Sequence, residues 1–589
     1  ITLLNDEERG SNLDLLLTLL KEKSRILTLS SHVGKKDVVA EWLRAKVYEF
    51  PANEMNEEFL VKRSNSLVSI ENNTGSQEPL VFRNRSAFKV TLDHSSLADD
   101  GTLMILVGRR ERAESIAEML AGFRQRRGER LRLPEDSVDE MTPLLARLSS
   151  MLERGVAFHH AGLPSEGRSA IEDLLAKRKL NIVVSTPTLS HGVDFPIDHL
   201  IVDLDTFGGE RLGRIKYLQY RGRASRIGLS KGGNVYVLSE SDPNITIDAM
   251  RRFLAKPVEP LLPPPLGIEQ LEWMMLLACH NSTELGKKTL LNRSKSLISE
   301  LLACRSSEST VTGEMLDKAL SRALKNLAHM KVISVKKNRV LMTETGKRFL
   351  PIDWVPRDSN LVLSILRRIT KLKSEIEITL VLLMLAVQIG LMRRFDPPRV
   401  KLIVWRYLRR LPRDVISRAS RSKLLREEAL VSLLLEWIDG VPIAQIVSDP
   451  VFQAKVQVHD EDLRKLGMYA SVEMAKIAAL AEDLSYEKVS ELAERLSVRL
   501  KRGVRDDLVC KDAAIDLFRL DGVGRQRARQ LYDNGFKTLL DIYSVIFNEG
   551  PKAFEKKANM PRELVKKIIE QAKSIVKKDE HMLALCKSL

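Results

Sequence analysis

Two stretches between residues 182 and 226 hold the side chains in this chain best suited to chemistry. The first runs from the apolar Ile182–Val184 into Ser185-Thr186-Pro187-Thr188 and on to Gly192-Val193-Asp194. The second is Gln219-Tyr220-Arg221-Gly222-Arg223-Ala224-Ser225-Arg226. Two arginines astride a glycine-containing turn can reach a transferring phosphoryl group from opposite sides and stabilise the charge that develops there. A strand that ends in a hydroxyl-rich turn, then glycine and an acid, suits the sensing of a bound nucleotide.

Phosphoryl transfer also needs a loop of main-chain amides with a lysine around the phosphates, and an acidic pair for magnesium and water. Neither is found. The Gly-Lys pairs are Gly34-Lys35, Gly286-Lys287 and Gly346-Lys347; upstream, where the loop's first glycine belongs, stand Leu29, Asn281 and Leu341, and no pair is followed by Ser or Thr. No Asp-Glu pair closes an apolar strand. The chain carries the responding part of a nucleotide site without the phosphate-holding part.

The bulk numbers frame the partner. At 589 residues, 44% hydrophobic and 29% charged, the chain is long enough for several globular domains. Lys+Arg exceed Asp+Glu by 94 − 78 = 16, a surplus that favours a polyanion, because phosphate neutralisation releases counterions. The four cysteines, 279, 304, 510 and 586, are too scattered for a zinc site or a disulfide framework, so the expectation is no metal site and a reducing, cytoplasmic setting. No apolar run reaches membrane-spanning length; Ile378–Ile389 reads as a buried helix.

Periodicity places the elements. Leucines at helical spacing in 13–20 precede a short strand, Arg25–Leu29, and helix returns at Val38–Leu43. Apolar strands at 102–107, 181–185, 200–204 and 234–238 alternate with amphipathic helices at 111–120 and 167–178, which implies a parallel sheet with helices on both faces. The Pro-rich Lys256–Leu266 marks a boundary, since successive prolines sustain neither helix nor ladder. Beyond it, 330–335 and 340–343 flank a basic Lys336-Lys337-Asn338-Arg339 turn, as in a winged helix. Residues 359–510 are almost wholly helical in period, and 513–575 form a compact helical end with a Gly522-Val523-Gly524 turn flanked by Arg525, Arg527 and Arg529.

In this order the motifs resemble an archaeal Ski-two-like, superfamily-two DNA helicase of the Hjm type, related to the helicase part of polymerase theta. The resemblance implies an α/β RecA-like lobe followed by mainly α-helical domains. The expected layout is a remnant of a first lobe at 1–50, an inter-lobe segment at 51–92, a second lobe at 93–250, and a linker at 251–266. After these come a winged helix at 267–355, a helical ratchet domain at 356–510, a helix-hairpin-helix at 511–575 and a tail at 576–589. The phrase Asp6-Glu7-Glu8-Arg9-Gly10 matches one that follows the family's catalytic acids, which places those acids, the phosphate loop and the main ATP and Mg²⁺ ligands ahead of Ile1; the chain's start reads as a cut edge.

The resemblance also implies roles. Ser30-Ser31-His32 stands where the family has its Ser-Ala-Thr coupling motif. Arg109, within Leu106–Arg110, matches a strand-contacting motif, and Phe158–Leu163 matches another. Thr186 and Thr188 would contact DNA phosphates, and Gly192 and Asp194 the nucleotide. Gln219 would orient water or the γ-phosphate, and Arg223 and Arg226 would act on the transition state, with Ser225 replacing the family's glycine. Between these motifs, Thr206–Ile215 would supply a short strand-separating hairpin. Arg464 and Lys465 match the start of the ratchet helix, whose base-stacking Trp is replaced by Val472. Gly522, Gly524, Arg525, Arg527 and Arg529 would hold a DNA backbone.

The implied activity is ATP-dependent 3′-to-5′ unwinding of single-stranded or forked DNA in replication-fork repair or recombination. The implied partners are that DNA, replication or repair proteins, and a chain supplying the first lobe, with no membrane. The alternatives are a non-hydrolytic DNA-binding protein, split or degenerate, and an RNA helicase, which the helix-hairpin-helix disfavours.

Overall fold

The computed structural model describes residues 2–5, 9–30, 33–49, 55–63, 66–71, 80–83, 101–123, 130–134, 136–190, 195–207, 213–222, 233–239, 252–253, 256–280, 285–303, 313–352, 354, 356–391, 426–510 and 512–578. They fall into two compact units, 1–103 with 192–367 and 104–191 with 368–589. The lobe expected at 93–250 is thus divided between them.

In the first unit the strands are β1 (Met55–Arg63), β2 (Ser66–Glu71), β3 (Leu80–Arg83), β7 (His199–Asp203) and β8 (Gly233–Ser239), in the order β3-β2-β1-β8-β7. β1 and β7 run parallel to β8, whereas β1, β2 and β3 form an antiparallel meander. The sequence reading gave this 51–92 stretch no strands. Just ahead of β4 (Leu103–Leu106), the Thr102 main chain bonds to the Asp198 carboxylate at 2.9 Å and accepts from the His199 N–H at 3.1 Å, fixing the start of β7.

The N-terminal residues pack within the same unit. The helices Gly10–Leu20 and Lys36–Leu43 are present, but Arg25–Leu29, expected as a strand, pairs with no ladder among the described residues, and Leu27 and Leu29 are 86% and 83% exposed. Leu4, Val39, Trp42 and Leu43 share a core with Ile215, Leu261 and Leu302. Asp14 is buried and accepts from the Leu302 and Ala303 N–H groups, both at 2.9 Å. The helices Ile268–His280, Lys287–Ser299 and Gly313–His329 follow, with a small antiparallel sheet of β10 (Ile333–Lys336), β11 (Arg339–Met342) and β9 (Leu285–Gly286). The basic turn lies at its tip, where Lys337 and Asn338 take φ of 44° and 74°.

In the second unit β4, β6 (Ile182–Ser185) and β5 (Val156–His159) lie in that order, fully buried, with β5 and β6 parallel. Helices Arg110–Phe123, Pro143–Leu152 and Ser165–Ala176 alternate with them. This alternation of buried parallel strands and helices is RecA-like, as expected.

The rest of that unit is helical. Helices Glu375–Ala386, Arg426–Ile438, Asp460–Asp483 and Glu487–Arg502 form a bundle, and 525–578 add four more around a core that includes Leu531, Phe554 and Ile568. Among the described residues no helix is long and apolar enough to cross a membrane. Trp437 is the bundle's keystone. It is 2% exposed and its indole donates to the Leu500 carbonyl at 2.7 Å. Two glycines make room for it: a Cβ on Gly467 would lie 2.5 Å from the indole nitrogen, and one on Gly503 2.4 Å from the ring. Gly503 also takes φ +66° as it ends its helix, which a side chain resists.

Gly503→Ala should therefore force the Trp437 ring out of place. The expected cost is roughly 2–4 kcal/mol, read as a lower urea midpoint of the bundle; an unchanged midpoint would contradict this packing.

Candidate functional site

β6 delivers its hydroxyls to a fixed place. The Ser185 carbonyl accepts from Val107 at 2.9 Å, the Thr186 N–H donates to the His159 carbonyl at 3.0 Å, and the Ser185 hydroxyl closes on the Thr186 carbonyl at 2.6 Å. Thr186 is buried, and Thr188 lies on the 3₁₀ turn Pro187–Ser190. Gly192 and Asp194 lie outside the described residues, as do Arg223 and Arg226, Ser31 and His32. Ser30 is described and exposed.

Gln219 sits half-buried on the helix Arg214–Arg221. That helix begins on Glu259, whose carboxylate accepts from the Arg214 and Ile215 N–H groups at 2.6 and 2.9 Å. A carboxylate on orphan donors at a helix N-terminus is stabilising. The Pro-rich linker thus orients the helix that carries Gln219, which sequence reasoning missed. Tyr217 and Tyr220 bury the helix's inner side, and burial pushes the Tyr220 hydroxyl up to about 12. Ile215 is helical, and of the hairpin expected at 206–215, residues 208–212 lie outside the described residues.

The start of the helix Asp460–Asp483 is gripped by the turn after β5. The Glu461 N–H donates to the Gly162 carbonyl at 3.2 Å, Arg168 pairs with Glu461 at 2.9 Å, and Arg464 holds both oxygens of Glu166 at 2.7 and 2.6 Å. Lys465 donates to the Ala161 carbonyl at 3.2 Å. Arg110 bonds Asp462, and Thr142 bonds Asp460. Gly162 permits the approach, since a Cβ there would lie 3.0 Å from the His459 side chain.

Charge is balanced pair by pair. Burial would raise the Asp462 carboxyl, but bonds from His459 and Arg110 outweigh it and bring it down to about 2. The bond to Asp462 raises His459. Burial lowers His160, whose ring lies 3.2 Å from Glu114 and accepts from the Gly162 N–H. The paired histidines of Phe158–Leu163 therefore support the turn: His159 faces Glu172 at 3.3 Å, and His160 is fully buried.

Several residues expected on DNA have protein partners instead. Arg464 is committed to Glu166. Arg525 donates to the Val441 carbonyl at 2.7 Å and lies 4.3 Å over the Trp437 ring. Arg527 donates to the carbonyls of Asp136, Gly522 and Val138, each at 2.7 Å. Arg529 forks onto Asp507 at 2.6 and 2.9 Å. Both glycines of the 522–524 turn meet a backbone or packing need: Gly522 takes φ +83°, and a Cβ on Gly524 would lie 2.5 Å from the Asp139 carboxyl carbon. Arg109, by contrast, is exposed beside β4.

What the helix Asp460–Asp483 leaves open is a stripe: Met468, Tyr469, Val472, Ala475 and Ala479 are exposed, flanked by half-buried Lys465 and Lys476. Tyr469 is 56% exposed, an aromatic one turn ahead of Val472, where the sequence reading looked for one and found none. A second exposed row, Lys318, Arg322, Lys325 and His329, follows helical spacing on Gly313–His329. Among the described residues no group of three His, Cys, Asp or Glu is placed to hold a metal.

Residues 99–228 match the helicase conserved C-terminal domain. The ATP-dependent DNA helicase Hel308 of Pyrococcus horikoshii is 26% identical over 578 residues, spanning 92% of this chain and 73% of that protein. The chain is a homologue of Hel308-type superfamily-two helicases. Hel308 of Thermoplasma acidophilum is 25% identical over 599 residues, 98% of this chain and 78% of its own, and Hel308 of Pyrobaculum calidifontis is 26% identical over 600. The similarity extends through the helical regions that follow the matched domain.

Because the folded Asp462 lies below its unfolded value near 3.8, its contribution is fully present above that value and lost as pH falls towards 2. Asp462→Asn should lower the stability of the second unit by on the order of 1–2 kcal/mol at pH 7 and by almost nothing at pH 2, measured by urea titration at both; equal losses would contradict the pairing.

Proposed function

We propose that this chain carries the second-lobe and DNA-handling parts of an ATP-dependent DNA helicase that acts on single-stranded or forked DNA in fork repair or recombination, moving 3′ to 5′. The observation that carries the reading is the helix Asp460–Asp483. Its first turn is bound to the lobe that presents Thr186 and Arg109, and its open side offers an aromatic and small apolar residues between two lysines. Such a surface suits successive bases of a single strand, because stacking is indifferent to sequence and flanking cations follow the backbone.

Arg109, Thr186 and Thr188 would hold backbone phosphates, and Lys465 and Lys476 would line the strand's path. Tyr469 takes the stacking role left open by Val472. Residues 267–355 act as a winged helix whose Lys318–His329 row faces a duplex arm, and 511–575 as a helix-hairpin-helix. Gly192 and Asp194 would meet the nucleotide, Gln219 would orient the attacking water, and Arg223 and Arg226 would stabilise the transition state. Mg²⁺ would arrive with ATP on a phosphate-loop lobe that this sequence does not contain, and the exposed Leu27 and Leu29 belong to the face that meets it. Ser30-Ser31-His32 would couple the two.

The isolated chain should bind an oligo-dT strand in fluorescence anisotropy without DNA-stimulated phosphate release from ATP; stimulated turnover by the chain alone would contradict this division of the site. Tyr469→Ala should weaken that binding about 5- to 10-fold, since a stacked base is worth ~1–3 kcal/mol, with the circular dichroism spectrum unchanged. Arg226→Ala in an enzyme completed by such a lobe should abolish turnover and spare DNA affinity.

A further inference from the structure

The helix Arg214–Arg221, which carries Gln219, is only eight residues long. A helix this short is marginal in water by itself, so whatever holds its ends decides whether it forms and where it points. Its N-cap is Gly213, which has no side chain to accept from the first N–H groups. The acceptor comes from elsewhere in the chain: the Glu259 carboxylate takes the Arg214 and Ile215 N–H groups with one oxygen each. Phe253, ahead of Glu259, adds a second hold. Its ring meets Tyr217 edge to face at 5.6 Å and lies 5.7 Å from the Arg214 guanidinium.

The segment that carries Glu259 is itself held, and by the N-terminal residues. Gly34 bridges to Pro260 in parallel, and a Cβ on Gly34 would overlap the carbonyl oxygens of Val258 and Glu259. The Asn5 side chain donates to the Pro260 carbonyl at 3.2 Å and accepts from the Leu262 N–H at 2.7 Å. Leu261 is 1% exposed and shares a core with Leu4, Trp42 and Ile215, the last from the short helix itself. Pro257, Pro260 and Pro263–Pro265 fix φ along the segment, so it has little freedom to bend between its two attachments.

One side of this linker thus rests on the residues that follow Ser30-Ser31-His32, and the other on the helix of Gln219. We infer that Glu259 is a positioning residue for phosphoryl transfer, the centre of a stiff strut through which the N-terminal segment sets the placement of the helix that presents Gln219. The strut joins the coupling motif to the motif of Gln219, Arg223 and Arg226 through main chain and one carboxylate. The role in turnover rests on the functions proposed above for those three residues; the hold on the helix does not.

Hydrogen exchange followed by mass spectrometry reads the hold on the full chain. The peptide 214–221 should exchange slowly in wild type and at least tenfold faster in Glu259→Ala, while the helix Ile268–His280 stays protected. Glu259→Gln, which keeps one acceptor oxygen, should fall between them. Asn5→Ala, which acts on the linker, should quicken the same peptide at least threefold. No change in Glu259→Ala would overturn the hold, and no change in Asn5→Ala would overturn the strut. In an enzyme completed by a phosphate-loop lobe, Glu259→Ala should lower kcat for ATP at least tenfold with KM and DNA affinity unchanged, and Glu259→Gln should recover part of the loss. A parallel fall in DNA affinity, or an unchanged kcat while Arg226→Ala abolishes turnover, would overturn the positioning role alone. Unchanged turnover in Arg226→Ala would instead overturn the reading of the motif, and the role with it.

Discussion

The second unit depends on one junction, the grip of the β5 turn on the first residues of the helix Asp460–Asp483. Arg110–Asp462, Arg168–Glu461 and Arg464–Glu166 enclose it, and the Gly162 carbonyl takes the helix's orphan Glu461 N–H. Ion pairs withdrawn from water add little net stability, because desolvation offsets attraction, but breaking one strands a charge. Their effect is geometric. They fix the rotation of the helix about its axis, and so decide that Tyr469 and Val472 look outward while Gly467 and Met474 look in.

The back of the helix is fixed by shape instead. Gly467 and Gly503 leave the space that Trp437 fills, and Trp437 presents its ring to Arg525. Through this ring the bundle reaches the C-terminal domain, which is also held by Arg529 on Asp507 and by Asp139 of the loop 136–140. Lobe, bundle and terminal domain therefore share a continuous set of contacts within one unit.

The sequence shows much of this and conceals a definite part. Buried strands 102–107, 181–185, 200–204 and 234–238 were legible because continuous apolar runs between amphipathic helices have few other solutions. The meander β1–β3 was not, since its strands mix charge with apolar residues, as in Met55–Arg63. Arg25–Leu29 has a strand's composition, yet composition cannot supply a neighbour to pair with. Arginine spacing is visible in the sequence but the partners are not: Arg464 meets the Glu166 carboxylate and the Arg527 guanidinium meets the Asp136 and Val138 carbonyls, each more than 290 residues away in the chain. Glu259 reads as a linker residue until its carboxylate is seen on the helix of Gln219. Tyr469 lies one turn ahead of Val472, the position to which the resemblance assigns the aromatic, and only the fold shows that it is exposed on the same face.

The central claim, that a single strand runs along the open face of Asp460–Asp483, is tested most directly by photocrosslinking. A dT oligonucleotide carrying 5-iododeoxyuridine at successive positions, irradiated with the chain and mapped by mass spectrometry, should join chiefly to Tyr469, with the adduct lost in Tyr469→Ala. Adducts confined to other surfaces, with Tyr469 unmodified at every position, would contradict it.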